Sequence, residues 1–233
     1  MKIQNLKLFH YPATRSARVK WVLHEVVGDA FEVEKIDLYD AAQYSAEFLS
    51  VNPNHGVPAL QITWDSGETQ CMIESAAMVS FLADAYPAAQ LAPNPGLSPE
   101  RADYLQMLHF GSTWMDMMLW QVRIHEHVLP IDERDARTVA RYRKKFIDEV
   151  EPQLERRLNE SSYISGDKFT AADCVVGHSV MWARGYGLCQ SDVFRRYLST
   201  LSKRPAFISA FSDAKLFTLE VPQGAAIAQH FTG

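Results

Sequence analysis

Two hydrophobic rhythms divide this 233-residue chain. Up to about residue 86, short alternating runs are interleaved with helical ones. Residues 2–9 alternate, with Ile3, Leu6 and Leu8 as apolar members, which predicts a strand. Val19, Val22, Leu23 and Val26 then recur at helical spacing over 15–27, and Gly28 stops the run. Residues 31–36 alternate again, and 41–50 read as a short helix. Residues 59–64 and 69–73 predict a hairpin around Asp65-Ser66-Gly67, a turn signal. A third helix follows over 75–86, with Met78, Phe81, Leu82 and Tyr86 on its apolar side. The order β-α-β-α-β-β-α predicts a mixed sheet covered by helices, an α+β domain over residues 1–86.

The rhythm changes after Tyr86. Proline and alanine crowd residues 87–97, which read as a linker. Beyond it there is no alternating strand. Ser98 and Pro99 suit the cap and first position of a helix. Helical periodicity runs over about 99–128, 134–159, 170–186, 191–201 and 205–213, with Pro152 expected to bend or split the second stretch. Residues 98–233 are thus expected to form an all-helical domain. Their last part, 214–233, is apolar and rich in small residues without a period, and is expected to lie on the surface as a tail.

Composition narrows the function classes. The chain is 47% hydrophobic and 22% charged, with 28 acidic residues against 23 Lys and Arg. The resulting formal charge of -5 argues against nucleic acid, which calls for a basic face. No apolar run reaches the length of a membrane span, and the start MKIQNLKLF is too short and polar for a signal peptide, so a cytoplasmic protein is expected. Cys71, Cys174 and Cys189 are odd in number and lack metal or redox spacing. His125 and His127 stand two apart, facing different sides of a helix, so no metal site is expected there.

The chemistry concentrates in 52–75. Asn52-Pro53 leads to Val57-Pro58-Ala59-Leu60 at the head of the hairpin, and Glu74-Ser75 opens the third helix. A cis bond before Pro58 would leave the N–H and C=O of Val57 free to pair with an extended segment beside the sheet. The first turn of a helix presents unpaired N–H groups and partial positive charge, which suit a carboxylate. Together these describe a site for a short peptide with an anionic end.

With Thr14-Arg-Ser-Ala-Arg-Val19 and Phe169-Thr-Ala-Ala-Asp173, these segments stand in the order and at the spacing of the glutathione transferase superfamily, which the whole chain resembles. The run TRSARVKWVL is closest to bacterial and fungal members that use a Ser or Thr hydroxyl. The resemblance implies a thioredoxin-like first domain (βαβαββα) that binds glutathione as substrate, a helical second domain, and a homodimer. It implies that Val57 and Pro58 hold the cysteinyl backbone, while Glu74 and Ser75 take the γ-glutamyl ammonium and carboxylate. A thiol is mostly protonated at pH 7, so a hydroxyl near the end of the first strand must favour the thiolate. Thr14 aligns with that role; Ser16 and Tyr11 are the alternatives, with His10 beside them. Where relatives often carry Lys or Gln before Val-Pro, this chain has Gly56, leaving the glycyl carboxylate to His55 or Arg15.

The electrophile is expected against the first helix of the second domain, where Phe110 and Trp114 lie in an aromatic and Met-rich run suited to an adaptable apolar pocket. Thr170 and Asp173 read as a capping box, assigned to folding. The expected function is thiol activation for attack on an apolar electrophile, with peroxide reduction as a possible side activity. The alternative is a non-catalytic binding module on the same fold. A cysteine-based oxidoreductase is disfavoured, since residues 9–18 contain no Cys.

Overall fold

A computed structural model of the chain describes residues 1–230. It contains two compact units, Met1–Leu82 together with the chain from Ala206 on, and Ala83–Pro205.

In the first unit, strand β1 (Ile3–His10), helix α1 (Ser16–Val27) and strand β2 (Glu32–Lys35) form a parallel crossover. A short helix α2 (Ala46–Val51) leads to the hairpin of β3 (Ala59–Trp64) and β4 (Thr69–Met72), and helix α3 (Ser75–Ala85) follows. The sheet order is β2-β1-β3-β4, with β3 antiparallel to both neighbours and Leu8 opposite Leu60. This is the βαβαββα order expected from the hydrophobic rhythm, and the thioredoxin-like arrangement that the family resemblance implied.

The alternation in β1 explains the two layers. Leu6 and Leu8 are buried with Leu60 and Ile62 of β3, Val19, Val22 and Leu23 of α1, and Met78, Val79 and Leu82 of α3. Phe9 belongs to a separate cluster with Ile36, Phe48 and Ala59, its ring edge-on to Phe48 at 5.8 Å. The two central strands, β1 and β3, therefore carry the buried positions, whereas the edge strands β2 and β4 are largely exposed.

The last segment belongs to this unit. Trp21, fully buried on α1, meets Phe207 and Phe211 edge-on at 5.0 and 6.0 Å. Farther on, the Tyr39 hydroxyl donates to the Thr218 carbonyl, and the Ile227 N–H donates to the Tyr39 carbonyl. Ile227 is buried. The lack of periodicity over 214–230 thus reflects irregular chain fixed by individual contacts with the loop after β2.

The second unit is helical: α4 (Pro99–Phe110), α5 (Asp116–Arg123), α6 (Ala136–Lys145), α7 (Glu151–Glu160), α8 (Ala171–Gly185) and α9 (Asp192–Leu201). Ser98 caps α4 by accepting from the Arg101 N–H at 3.1 Å, with Pro99 at the first position. The helical stretch predicted over 134–159 is divided by a wide turn at Phe146–Val150, after which Pro152 sits in the first turn of α7. There its missing N–H costs nothing. Gly111 is needed for close packing: a Cβ there would lie 3.0 Å from Cγ2 of Val176 on α8. No helix among the described residues is long and apolar enough to cross a membrane.

Candidate active site

The loop between β1 and α1 gathers three of the predicted residues. Ser16 Oγ lies 3.1 Å from the Tyr11 N–H, which it accepts, and within 2.9 Å of Thr14 Oγ1. Thr14 Oγ1 donates to the Tyr11 carbonyl at 2.8 Å. The Thr14 hydroxyl does not cap α1, whose N-cap is Arg15 and carries no side-chain cap bond. Its Oγ1 instead accepts from the Ser16 N–H at 3.4 Å while serving the turn after β1. Ser16 is fully buried, whereas Thr14 is half-buried. The Tyr11 side chain is also buried, edge-on to Tyr39 at 5.6 Å with the Lys35 ammonium 5.7 Å from its ring. Of the three hydroxyl candidates, Thr14 is the one that reaches the surface.

Behind Ser16 the hydrogen-bond chain continues. Its Oγ lies 2.7 Å from Nδ1 of His10, and Nε2 of that ring lies 3.1 Å from Oδ2 of Asp213. Lys20 donates to the same Asp213 oxygen at 2.6 Å. Burial opposes charge on Asp213, but the Lys20 hydrogen bond and the His10 ring outweigh it and hold the carboxyl below its usual value. Burial first, and then Lys20, push the His10 imidazole down to about 4 against the pull of Asp213. At neutral pH the ring is therefore uncharged. A carboxylate can only accept, so the hydrogen sits on Nε2, and Nδ1 is left to accept the Ser16 hydroxyl.

The Val57–Pro58 bond is cis. Neither the N–H nor the C=O of Val57 has a hydrogen-bond partner among the described residues. Asn52 shapes the approach by donating its side-chain amide to the Gly56 carbonyl at 2.7 Å. His55 is exposed, has a positive φ of 44°, and stacks on Tyr44 at 4.7 Å. The other stacking neighbour of Tyr44 is His230, at 3.8 Å.

At the start of α3, Glu74 is exposed and takes φ 71°. That left-handed turn is costly for a residue with a Cβ, and such conformations cluster at ligand sites. Ser75 is buried, and its Oγ accepts from Nη1 of the fully buried Arg18 at 3.3 Å. The N–H groups of Ser75, Ala76 and Ala77 have no partner among the described residues. An unclosed helix start beside a guanidinium is suited to an anion.

In the second unit, Phe110 ends α4 half-buried, and Trp114 is 38% exposed in the wide turn Gly111–Met115, with the Lys145 ammonium 4.8 Å from its ring. The predicted box at α8 is present. Asp173 accepts from the N–H groups of Ile164 and Thr170 and from the hydroxyls of Thr170 and Tyr197.

Two residues at the site escaped the sequence reading. Arg18 was legible only as a motif position, although a charged residue among the apolar positions of α1 was a signal. Asp213 had none: it stands 203 residues from His10 and reaches it only through the fold.

Residues 4–84 match the family described as glutathione S-transferase, N-terminal domain. The disulfide-bond oxidoreductase YfcG of Escherichia coli K12 is 26% identical over 225 residues, spanning 91% of this chain and 96% of that protein. A sphingomonad glutathione S-transferase solved with glutathione is 27% identical, with a TM-score of 0.75 over 91% of this chain and all of the other. The glutathione transferase URE2P8 of Phanerochaete chrysosporium, solved with oxidised glutathione, is 25% identical, with a TM-score of 0.78 over 93% of this chain and 97% of that one.

Proposed function

The chain belongs to the glutathione S-transferase superfamily, and from that premise we propose that it is a glutathione-dependent enzyme in which Thr14 stabilises the thiolate of bound glutathione for attack on an apolar electrophile. The observation that carries this reading is the half-buried Thr14 hydroxyl, in the same unit as the open backbone of Val57 and the unclosed start of α3. The cysteinyl backbone pairs with Val57. The γ-glutamyl carboxylate takes the N–H groups at Ser75, and Glu74 takes the ammonium. Two copies of the chain form the working enzyme.

The chemistry asked of the protein is modest. Free thiols have a pKa near 8.5, and lowering it by about one to two units needs ~1.4 kcal/mol of differential stabilisation per unit. One aimed hydroxyl with a helix N-terminus supplies that order of energy. Proximity does the rest.

A second reading is favoured by the resemblance to a disulfide-bond oxidoreductase. The same thiolate attacks a disulfide sulfur, expelling a thiolate and leaving a mixed disulfide that a second glutathione resolves. No cysteine of the chain is required. Cys174 and Cys189 are buried, and burial raises the Cys189 thiol, making it inert.

Calorimetric titration with glutathione, with thiolate absorbance followed across pH, tests the shared premise. Saturable binding and a bound thiol pKa about one to two units below the free value are expected. Thr14→Val should return that pKa toward the free value with little loss of affinity. Absence of saturation at millimolar glutathione would overturn both readings. Turnover of a chloronitroaromatic against that of a glutathione mixed disulfide then decides which reaction dominates.

A further inference from the structure

We propose that residues 214–230 complete the glutathione site at its glycyl end: His230 stacks on Tyr44, and Tyr44 in turn holds His55, which donates to the glycyl carboxylate. This deepens the reading above and rests on the cysteinyl backbone pairing with Val57.

The direction of the bound peptide brings its end to His55. Pairing both the N–H and the C=O of Val57 with one residue of the ligand is the hydrogen-bonded pair of an antiparallel ladder. The residue after the cysteine therefore runs back along the chain, toward Gly56 and His55. Gly56 has no side chain to offer a carboxylate, and its carbonyl is taken by the Asn52 amide at 2.7 Å. His55 is the next side chain. It is exposed, and its ring nitrogens have no hydrogen-bond partner among the described residues. A histidine ring carries at least one N–H in either charge state.

An exposed side chain must be held still to recognise a ligand, and two contacts hold this one. His55 takes φ 44°, a left-handed turn that sets where the side chain leaves the backbone. Its ring stacks on Tyr44 at 4.7 Å, with 24° between the planes. The N–H groups lie in the ring plane, so the stack limits the directions in which they point. Tyr44 is half-buried in the turn Ala42–Tyr44 between β2 and α2, and His230 lies on it at 3.8 Å and 3°. A ring covered so closely on one face has room for a second ring only on the other, so the order is His230, Tyr44, His55.

His230 is carried by chain anchored to the same loop. The Thr218 carbonyl accepts from the Tyr39 hydroxyl at 2.6 Å, and the Ile227 N–H donates to the Tyr39 carbonyl at 3.2 Å, with Ile227 buried. His55 is thus the binding group, and His230 is a positioning residue that acts through Tyr44 without touching the ligand.

Two ligands separate this role from a merely structural one: glutathione, and its glycyl ethyl ester, which keeps the peptide and the thiol but removes the carboxylate charge. Calorimetric titration of the full-length protein should show the ester binding about tenfold more weakly. His55→Ala should weaken glutathione by about tenfold and leave the ester unchanged. His230→Ala should weaken glutathione by about three- to tenfold, the cost of ordering one loose side chain, again without affecting the ester. His230→Phe, which keeps a stacking ring, should restore the affinity. His230 is exposed, so its truncation leaves the buried Ile227 in place. Equal weakening of both ligands by His230→Ala would mean a structural role alone and overturn the proposal. So would equal binding of the two ligands to the unaltered protein, or an affinity that depends on His55 and not on His230. In each of these cases glutathione still binds, and the glutathione-dependent reading stands. Absence of binding by either ligand would overturn both.

Discussion

The starts of α3 and α8 are built from the same materials, an acid and a hydroxyl at a helix N-terminus, yet they end in opposite states. At α8 the acid and the cap are matched. Asp173 is fully buried and receives two N–H groups and two hydroxyls, including that of Tyr197 from α9. At α3 the acid, Glu74, is exposed, Ser75 Oγ is turned to Arg18, and three N–H groups are unmatched among the described residues. A helix start that closes on itself belongs to folding; one left open, with its backbone in a left-handed turn, is equipped for a ligand. The start of α1 is intermediate: Ser16 is enclosed like Asp173, while Thr14 remains half-buried.

The largest effect is expected at the closed start. Asp173→Ala strands the N–H of Ile164 and the Tyr197 hydroxyl in the interior, and should cost about 3 kcal/mol or more in urea unfolding. A loss below ~1 kcal/mol would remove the distinction between the two starts.

Acid titration comes next, because the enclosed groups at α1 and α8 respond to pH with opposite signs. His10 is lowered from 6.5 to about 4, so the unfolded chain binds the extra proton in that window and stability falls as pH drops from 6.5 to 4, by up to ~3 kcal/mol. Burial raises Asp173 from 3.8 to about 6, so its contribution is fully present below 3.8 and is lost as pH rises through 6. The two slopes oppose each other in the unaltered protein. His10→Gln removes the first and should leave stability rising as pH falls from 6 to 4, read by thermal unfolding across pH. An unchanged profile would mean that His10 does not bury its neutral form.

The smallest effect belongs to the open start. Ser75→Ala should cost no more than about 1 kcal/mol of stability. Glutathione affinity should fall about tenfold, or ~1.4 kcal/mol, as Arg18 and the helix start lose their shared hydroxyl. Stability loss without affinity loss would class Ser75 with Asp173.

Much of this was legible in the sequence, because short-range pattern carries it. Alternation and 3.6-residue periodicity set the strands and helices of the first unit, since burial of one face imposes those periods wherever they occur. Ser98-Pro99, Thr170-Asp173 and Val57-Pro58 acted within a few residues of themselves, so their local structure could be read locally. What the sequence could not rank was the three hydroxyls after β1. Tyr11, Thr14 and Ser16 look alike as a string, and only packing buries two of them and leaves Thr14 at the surface. Nor could it join residues 206–230 to the first unit, because irregular chain has no period to read and its place is fixed by contacts such as Trp21 with Phe207. Asp213 is the extreme case. Its role depends on a 3.1 Å contact with a ring 203 positions earlier, and a distance of that kind exists only once the chain has closed on itself.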